Sequence, residues 1–350
     1  MSTEMRCARD DSVQALDGKP AVRLRCDRFI DERGFVQAMT EDVLRGLAHT
    51  PKSLPPRYFY DEAGCALFER ITRLPEYYLT RVEEELLRSL APALMRELKP
   101  QDIVEIGSGS SIKIRHFLDA LAEQNGAVRY VPMDVNAPVA ERAARKLTQD
   151  YPNLWVHAIA GDFERHLGCV PPAQGRRLVT FFGSTIGNLG PLSRREFLLQ
   201  VRALMRPSDR FLLGLDLVKD RAVLEAAYND CQGVTAEFNR NILRVINRQL
   251  GANFDPAAFA HRAFYQLSTR CIEMHLVSTR SQTVFLPDSK VAFDISSGES
   301  ILTENSYKFT RRSSEQMLRE AGMGLEAWFT DAQSRFALAL VSVRDGSLAR

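Results

Sequence analysis

No apolar run in this 350-residue sequence approaches the roughly 20 residues that a membrane span requires, so a transmembrane helix is excluded. The amino-terminal stretch carries Arg6, Arg9, Asp10 and Asp11 where a secretory leader would have its apolar core, and a cytosolic protein is expected. Cysteine is scarce and dispersed. Cys7, Cys26, Cys65, Cys169, Cys231 and Cys271 form no Cys-x-x-Cys pair, which argues against a disulfide framework or a zinc knuckle. The six histidines show no His-Glu-x-x-His or comparable ligand spacing, and no metal is expected. A long basic run is missing too, and the net charge of +2 comes from near balance. That turns the expectation away from nucleic acid and anionic membranes and toward a small molecule. Internal repeats are absent.

What is there suits an ordinary globular protein: 45% hydrophobic and 26% charged residues, on a chain long enough for two domains of about 150 residues each. The stretch from Asp102 to Arg115 organises the rest. A short β-branched run interrupted by Glu105 leads into Gly107-Ser108-Gly109, and helical spacing resumes at Ile114, Phe117 and Leu118, which predicts strand, tight turn and helix. Glycines let such a turn approach a ligand, and a following helix offers free N–H groups and a positive dipole end to an anion. The same pattern is also a common structural turn. The dinucleotide fingerprint is incomplete, because Ile112 stands where its third glycine belongs.

Strands then alternate with helices. Val128 to Met133 ends at Asp134, a helix opened by Asn136 and Pro138 runs to about Asp150, and Leu154 to Ala160 precedes Gly161-Asp162-Phe163. Leu178 to Phe182 precedes Gly183-Ser-Thr-Ile-Gly-Asn188, and Phe211 to Leu217 closes a series that implies a parallel sheet. Capping boxes are expected at Thr80-Arg-Val-Glu83 and Ser193-Arg-Arg-Glu196. Ligands of open parallel sheets sit beyond the carboxyl ends of the strands, where Gly107, Asp134, Asp162 and Asn188 all fall. Asp134 suits a ribose diol and Asp162 with Phe163 suits the amino group and face of an adenine, although each acid reads equally as a turn or helix cap.

Outside this unit, residues 1 to about 28 read as a loosely held extension and Phe35, Met39, Val43 and Leu47 as one face of a helix. The proline-led block with Tyr58, Phe59, Tyr60, Tyr77 and Tyr78 reads either as core packing or as a lid. Residues 220 to 250 are helical in pattern and 263 to 310 are β-like. A last helix and an antiparallel strand pair, around Leu325 to Trp328 and Phe336 to Val343, would complete the sheet edge.

Several longer segments carry a resemblance. Pro51-Lys-Ser-Leu-Pro-Pro-Arg-Tyr-Phe-Tyr60-Asp, Ile71-Thr-Arg-Leu-Pro-Glu-Tyr77-Tyr78, Phe182-Gly-Ser-Thr-Ile-Gly-Asn188, Asp216-Leu-Val-Lys-Asp220 and Leu302-Thr-Glu304-Asn-Ser306-Tyr-Lys308 resemble the bacterial L-histidine Nα-methyltransferases of ergothioneine biosynthesis, within the class I S-adenosylmethionine-dependent superfamily. The similarity runs from about Phe35 to Val343. It implies an α/β fold, a Rossmann-like sheet with a C-terminal β-hairpin, plus a second α+β substrate-binding domain. The implied division assigns 29–80 and 217–308 to the substrate and 81–216 and 309–350 to the cofactor. The implied reaction is trimethylation of the α-amino group of L-histidine to hercynine; separately, the chain is expected to act as a monomer without nucleic acid, membrane or metal.

Position by position, the resemblance puts Tyr77, Gly107, Lys113, Asp134, Asp162 and Phe163 on S-adenosylmethionine, with Lys113 at its carboxylate, Asp134 at its ribose and Asp162 at its adenine. Asn188 and Tyr228 fall on the substrate carboxylate and Tyr60 near its amine, with Tyr60 and Asn188 as the catalytic candidates. Gly183 and Thr185 line the same pocket. Phe68, Met274, Glu304 and Ser306 surround the imidazole, with Glu304 and Ser306 bonded to its nitrogens. Imidazole offers a ring donor and a ring acceptor together, so a carboxylate plus a hydroxyl select it over phenyl or aliphatic groups. Relatives with other residues at the positions of Met274 and Glu304 favour tryptophan, which keeps another amino acid as the alternative substrate. An in-line methyl transfer needs alignment and dryness more than a protein nucleophile, and ring faces tolerate the growing methylammonium.

Overall fold

The computed structural model describes residues 23–30, 32–124 and 126–344. Its strands number, in chain order, β1 (Leu24–Arg28), β2 (Lys52–Ser53), β3 (Asp102–Ile106), β4 (Val128–Asp134), β5 (Leu154–Ala160), β6 (Arg177–Phe181) and β7 (Arg210–Asp216). They continue as β8 (Phe259–Gln266), β9 (Cys271–Ser278), β10 (Gln282–Leu286), β11 (Val291–Ile295), β12 (Ser300–Tyr307), β13 (Met323–Thr330) and β14 (Phe336–Val343). The main sheet has the order β1-β5-β4-β3-β6-β7-β14-β13, parallel through β7 and antiparallel at its last two strands. The interior strands read as apolar runs because both faces are covered: every residue of β3 and of β6 is buried.

Successive residues of one strand feed opposite cores. Ile103, Leu178 and Leu212 belong to one apolar cluster, while Val104, Val179 and Leu213 belong to the other. The first cluster continues through Met39, Phe59, Phe238 and Leu276 into a second, four-stranded sheet of order β2-β12-β9-β8. One face of the main sheet and the smaller sheet therefore share a single core. This fixes the wall that β12 presents relative to the ends of β3 and β6. β12 pairs with β9 in register from Ser300 to Leu302 and from Glu304 to Tyr307, with a bulge at Thr303, whose hydroxyl bonds Asn239 at 2.7 Å.

Three local expectations are corrected. Residues 24–28, expected in the loose extension, form the edge strand β1 on β5, because Leu24 packs on the core and the backbone completes the ladder; the extension's residues 1–22 lie outside the described residues. The helix expected from Ile114 is present as Arg115–Ala122, with Ile114 at its cap, beyond a turn that exposes Ile112. Neither capping box forms. The helix Leu79–Leu98 starts one residue before Thr80 with Tyr78 as its cap, and the helix Pro191–Ala203 starts at Pro191 after Gly190, so Ser193 lies within its first turn. Glu83 turns inward instead.

Candidate active site

Strand order reverses between β3 and β6, since β4 and β5 lie to one side and β7 to the other. Loops leaving both strands at their carboxyl ends border the crevice where open α/β sheets bind ligands. Gly107 and Gly109 follow β3 with φ of +67° and +50°, the left-handed region that glycine tolerates. The Gly107 N–H donates to the Met133 carbonyl at 2.8 Å, and the Gly109 N–H donates to Asp134 Oδ2 at 2.8 Å. Asp134 Oδ1 accepts from the Asn136 N–H at 2.9 Å, so one carboxylate ties the glycine turn to the end of β4. Burial raises its pKa against those backbone bonds.

Lys113, past the glycine turn, ion-pairs with Glu83 at 2.5 Å, and Glu83 also accepts from the Gly183 N–H after β6 at 2.7 Å. Glu83 has no exposure, and Gly214 on β7 leaves room for it, because a Cβ there would stand 2.3 Å from Glu83 Oε1. Asp162 Oδ1 caps the turn after β5 through the Glu164 N–H, and its Oδ2 accepts from Arg57 at 3.2 Å. Phe163 meets Phe181 and Phe197 edge-on at 5.3 and 5.6 Å while remaining half-buried. These residues fit the nucleoside-bearing cofactor that the resemblance implies. The Ser108 hydroxyl in the glycine turn is buried without a partner, and open space extends 4 Å around the place of a Gly109 side chain.

The opposite wall is aromatic and acidic. Tyr60 packs on Phe68 at 5.8 Å and Phe238 at 5.6 Å, Phe68 on Tyr77 at 6.2 Å, and Tyr77 on Tyr228 at 6.5 Å. Glu304 faces this box. Its carboxylate is close enough to help raise the phenol pKa values of Tyr60, Tyr77 and Tyr228, after burial as the main cause, and Asp134 adds to that of Tyr60. The same tyrosine thus senses both the β4 end and β12. The Tyr60 carbonyl also accepts from Asn136 Nδ2 at 3.1 Å, a direct tie between the two walls. Met274 stands opposite Glu304 in the ladder, buried. No hydrogen bond occupies the Glu304 carboxylate among the described residues, and burial pushes its pKa up to about 7 against the pull of Lys308.

Ser306 and Tyr228, expected at the two ends of the substrate, stand together: their hydroxyls are 2.8 Å apart. Asn188 closes the short 3-10 turn Thr185–Asn188, half-buried and without a side-chain hydrogen bond among the described residues. That turn rests on β12, where a Cβ on Gly187 would lie 2.8 Å from the Tyr307 carbonyl. The Thr185 hydroxyl is spent on the Phe182 carbonyl at 3.0 Å, so Thr185 can line a pocket but its proton is already placed. Tyr77, expected on the cofactor, sits within the aromatic box.

Reading residue types missed Glu83, Arg57, Phe238, Asp216, Lys219 and Lys308. For Lys308 a signal existed: Glu304, Ser306 and Lys308 recur at a spacing of two and therefore share one strand face. Glu83 stands at capping-box spacing from Thr80, which hides its pairing with Lys113.

Two expected results follow from this geometry. Glu83→Gln keeps an acceptor for Gly183 but removes the charge beside Lys113, and lowers S-adenosylhomocysteine affinity about ten-fold by calorimetry, the lower end of a charge-assisted bond; unchanged affinity would make Glu83 a packing residue. Ionised, the Glu304 carboxyl accepts an N–H through a stronger, charge-assisted bond, so kcat/KM for histidine is expected to rise with pH through about 7, and Glu304→Gln lacks that inflection. The stability sign is opposite. Because its folded pKa lies above the unfolded value, stability present below about 4.5 is lost as pH climbs to about 7, and the Gln variant melts higher than the parent at pH 8.

Among the described residues no helix is long and apolar enough to cross a membrane, and no group of three His, Cys, Asp or Glu stands arranged for a metal. From residue 39 to 343 the chain matches the family described as "Histidine-specific methyltransferase, SAM-dependent". The "Histidine N-alpha-methyltransferase" of Mycobacterium tuberculosis is 46% identical over 305 residues, covering 87% of this chain and 95% of that protein. A protein of the same name from Mycolicibacterium smegmatis is 45% identical over 304 residues, covering 87% and 94%. Among solved structures, an S-adenosylmethionine-dependent methyltransferase from Clostridium acetobutylicum overlays with a TM-score of 0.44 at 11% identity, over 79% of this chain and 98% of that one.

Proposed function

The chain belongs to the family of histidine-specific, SAM-dependent methyltransferases, and from that premise we propose that it trimethylates the α-amino group of L-histidine to hercynine in ergothioneine biosynthesis. The main sheet is the Rossmann-like cofactor unit of the class I superfamily, and residues 29–80 with 217–308 form the substrate lobe. When bound, S-adenosylmethionine supplies a methyl carbon made electrophilic by its sulfonium.

The protein's own groups hold and align. Lys113, steadied by Glu83, meets the cofactor carboxylate; Asp134 takes the ribose hydroxyls; Asp162, Phe163 and the glycine turn at Gly107 border the adenosine. On the facing wall Glu304 accepts the imidazole N–H and Ser306 donates to the other ring nitrogen, with Met274 and Phe68 against the ring. Asn188 holds the carboxylate, with Tyr228 beside it and bonded through its hydroxyl to Ser306; Gly183 and Thr185 line the pocket, and Tyr60 lies next to the amine. Tyr60 and Tyr77 exclude water and present ring faces that accept a methylammonium as it grows. The supporting observation is the unpartnered Glu304 carboxylate, on one strand face with Ser306, inside an aromatic box.

The test is direct. Incubation with S-adenosylmethionine and equimolar histidine and tryptophan, read by mass spectrometry, yields mono-, di- and trimethylhistidine. Methylated tryptophan as the main product would move the assignment to the alternative amino acid.

A further inference from the structure

Lys308 is buried behind the proposed imidazole site, its side chain without exposure. Its ammonium lies 2.9 Å from the Tyr228 hydroxyl, 2.8 Å from Ser306 Oγ and 2.8 Å from Asp216 Oδ2. Asp216 is anchored in turn by Lys219 at 2.6 Å and the Tyr78 hydroxyl at 2.7 Å, both on its Oδ1. The cluster draws on five places in the chain: the end of β7, the link from it to the helix Arg221–Ala226, the segment after that helix, the residues preceding the helix Leu79–Leu98, and β12 with the residue that follows it. It joins the main sheet to the substrate wall.

Counting protons gives this cluster a direction. An ammonium has donors and no acceptor, so both hydroxyl oxygens accept from Lys308. Tyr228 and Ser306 own one proton each, and one of the two lies along their 2.8 Å contact. A single proton is left to face outward. The hydroxyl that keeps this proton accepts from both Lys308 and its neighbour, so both of its lone pairs are filled; without Lys308 it would have one to spare and could accept as readily as donate.

Building on the assignment of histidine to this site, we propose that Lys308 is a positioning residue: with Lys308 and the neighbouring hydroxyl filling both lone pairs of one oxygen of the Tyr228–Ser306 pair, that hydroxyl faces the substrate as a donor only. With the Glu304 carboxylate as the neighbouring acceptor, the wall complements a neutral imidazole, one N–H and one bare nitrogen. A ring with two bare nitrogens, or with two N–H groups, leaves a buried group unmatched.

Steady-state kinetics on the full chain test this with Lys308→Met, Ser306→Ala and the double variant. Lys308→Met is expected to raise the KM for histidine at least about ten-fold while kcat and S-adenosylhomocysteine affinity change less than about three-fold. In the Ser306→Ala background the same change adds less than about three-fold, because its effect travels through Ser306 Oγ. An unchanged KM, or the full penalty again in the Ser306→Ala background, overturns the proposal. Should Lys308→Met fail to fold, the Tyr228→Phe and Ser306→Ala pair is measured instead. Sub-additive losses support the shared proton arrangement and additive ones overturn it. A parent protein that leaves histidine unmethylated overturns the functional reading, whereas an active parent with an indifferent Lys308→Met overturns this inference alone.

Discussion

Glu304→Ala lowers kcat/KM for histidine by about a hundred-fold, with S-adenosylhomocysteine binding unchanged. The magnitude follows from removing the acceptor of a charge-assisted hydrogen bond, about 1.5–3 kcal/mol, and from leaving a buried ring N–H without a partner. The loss falls mostly in KM, with a smaller drop in kcat because a loosely held ring no longer fixes the amine at attack distance. Turnover of tryptophan or phenylalanine rises relative to histidine, since the box around Tyr60, Phe68 and Tyr77 remains while its unpartnered carboxylate is gone. Competition assays with product masses, alongside calorimetry for the cofactor side, give both numbers. A fall of less than about five-fold would mean that the ring is held elsewhere.

Asp216→Ala costs stability more than any other single change suggested by this structure. Burial would raise the pKa of its carboxyl, but Lys308 and Lys219 hold it below the ordinary range, so the folded protein keeps a charged acid between two buried ammoniums. Removing it strands both cations, which typically costs about 3–5 kcal/mol. For a chain of this size that is a melting shift on the order of 5 °C. Asp216→Asn loses less, because its amide oxygen still accepts from Tyr78. The deficit of the alanine variant narrows above about pH 8, where burial already favours discharge of Lys219. Thermal scans at pH 7 and 9 check the size and the narrowing; a shift below about 1 °C at pH 7 would show that the network contributes little.

Much of the main sheet was legible because its signals are local. β3 to β7 are short apolar runs, and each is followed by a turn residue or an acid that the geometry then uses, as Asp134 is used by Gly109. Helix starts were less legible. Thr80 and Glu83 fit a capping box by spacing, but the helix is entered from Tyr78, and Glu83 satisfies a lysine and a backbone N–H from loops far away in sequence. Long-range partners of that kind leave no periodic trace. β1 escaped notice because an edge strand with a half-exposed, charged pattern, Leu-Arg-Cys-Asp-Arg, has little hydrophobic signal of its own. Glu304 and Ser306 lie two apart on β12 and share a face with Met274 of β9, while Asp216, Lys219 and Lys308 became visible only once the fold brought β7 against the end of β12.

Thr303 carries a further consequence. β12 opposes Leu302 to His275 and then Glu304 to Met274, so a single supernumerary residue shifts the phase of everything after it. With Thr303 kept, an uninterrupted pleat would turn Asn305 and Tyr307 toward the box and rotate the acid and the serine out of it. Deleting Thr303 would instead even out the pleat while leaving Glu304 opposite Met274 and Ser306 opposite Ile272, so the face these two residues share is set by their register on β9.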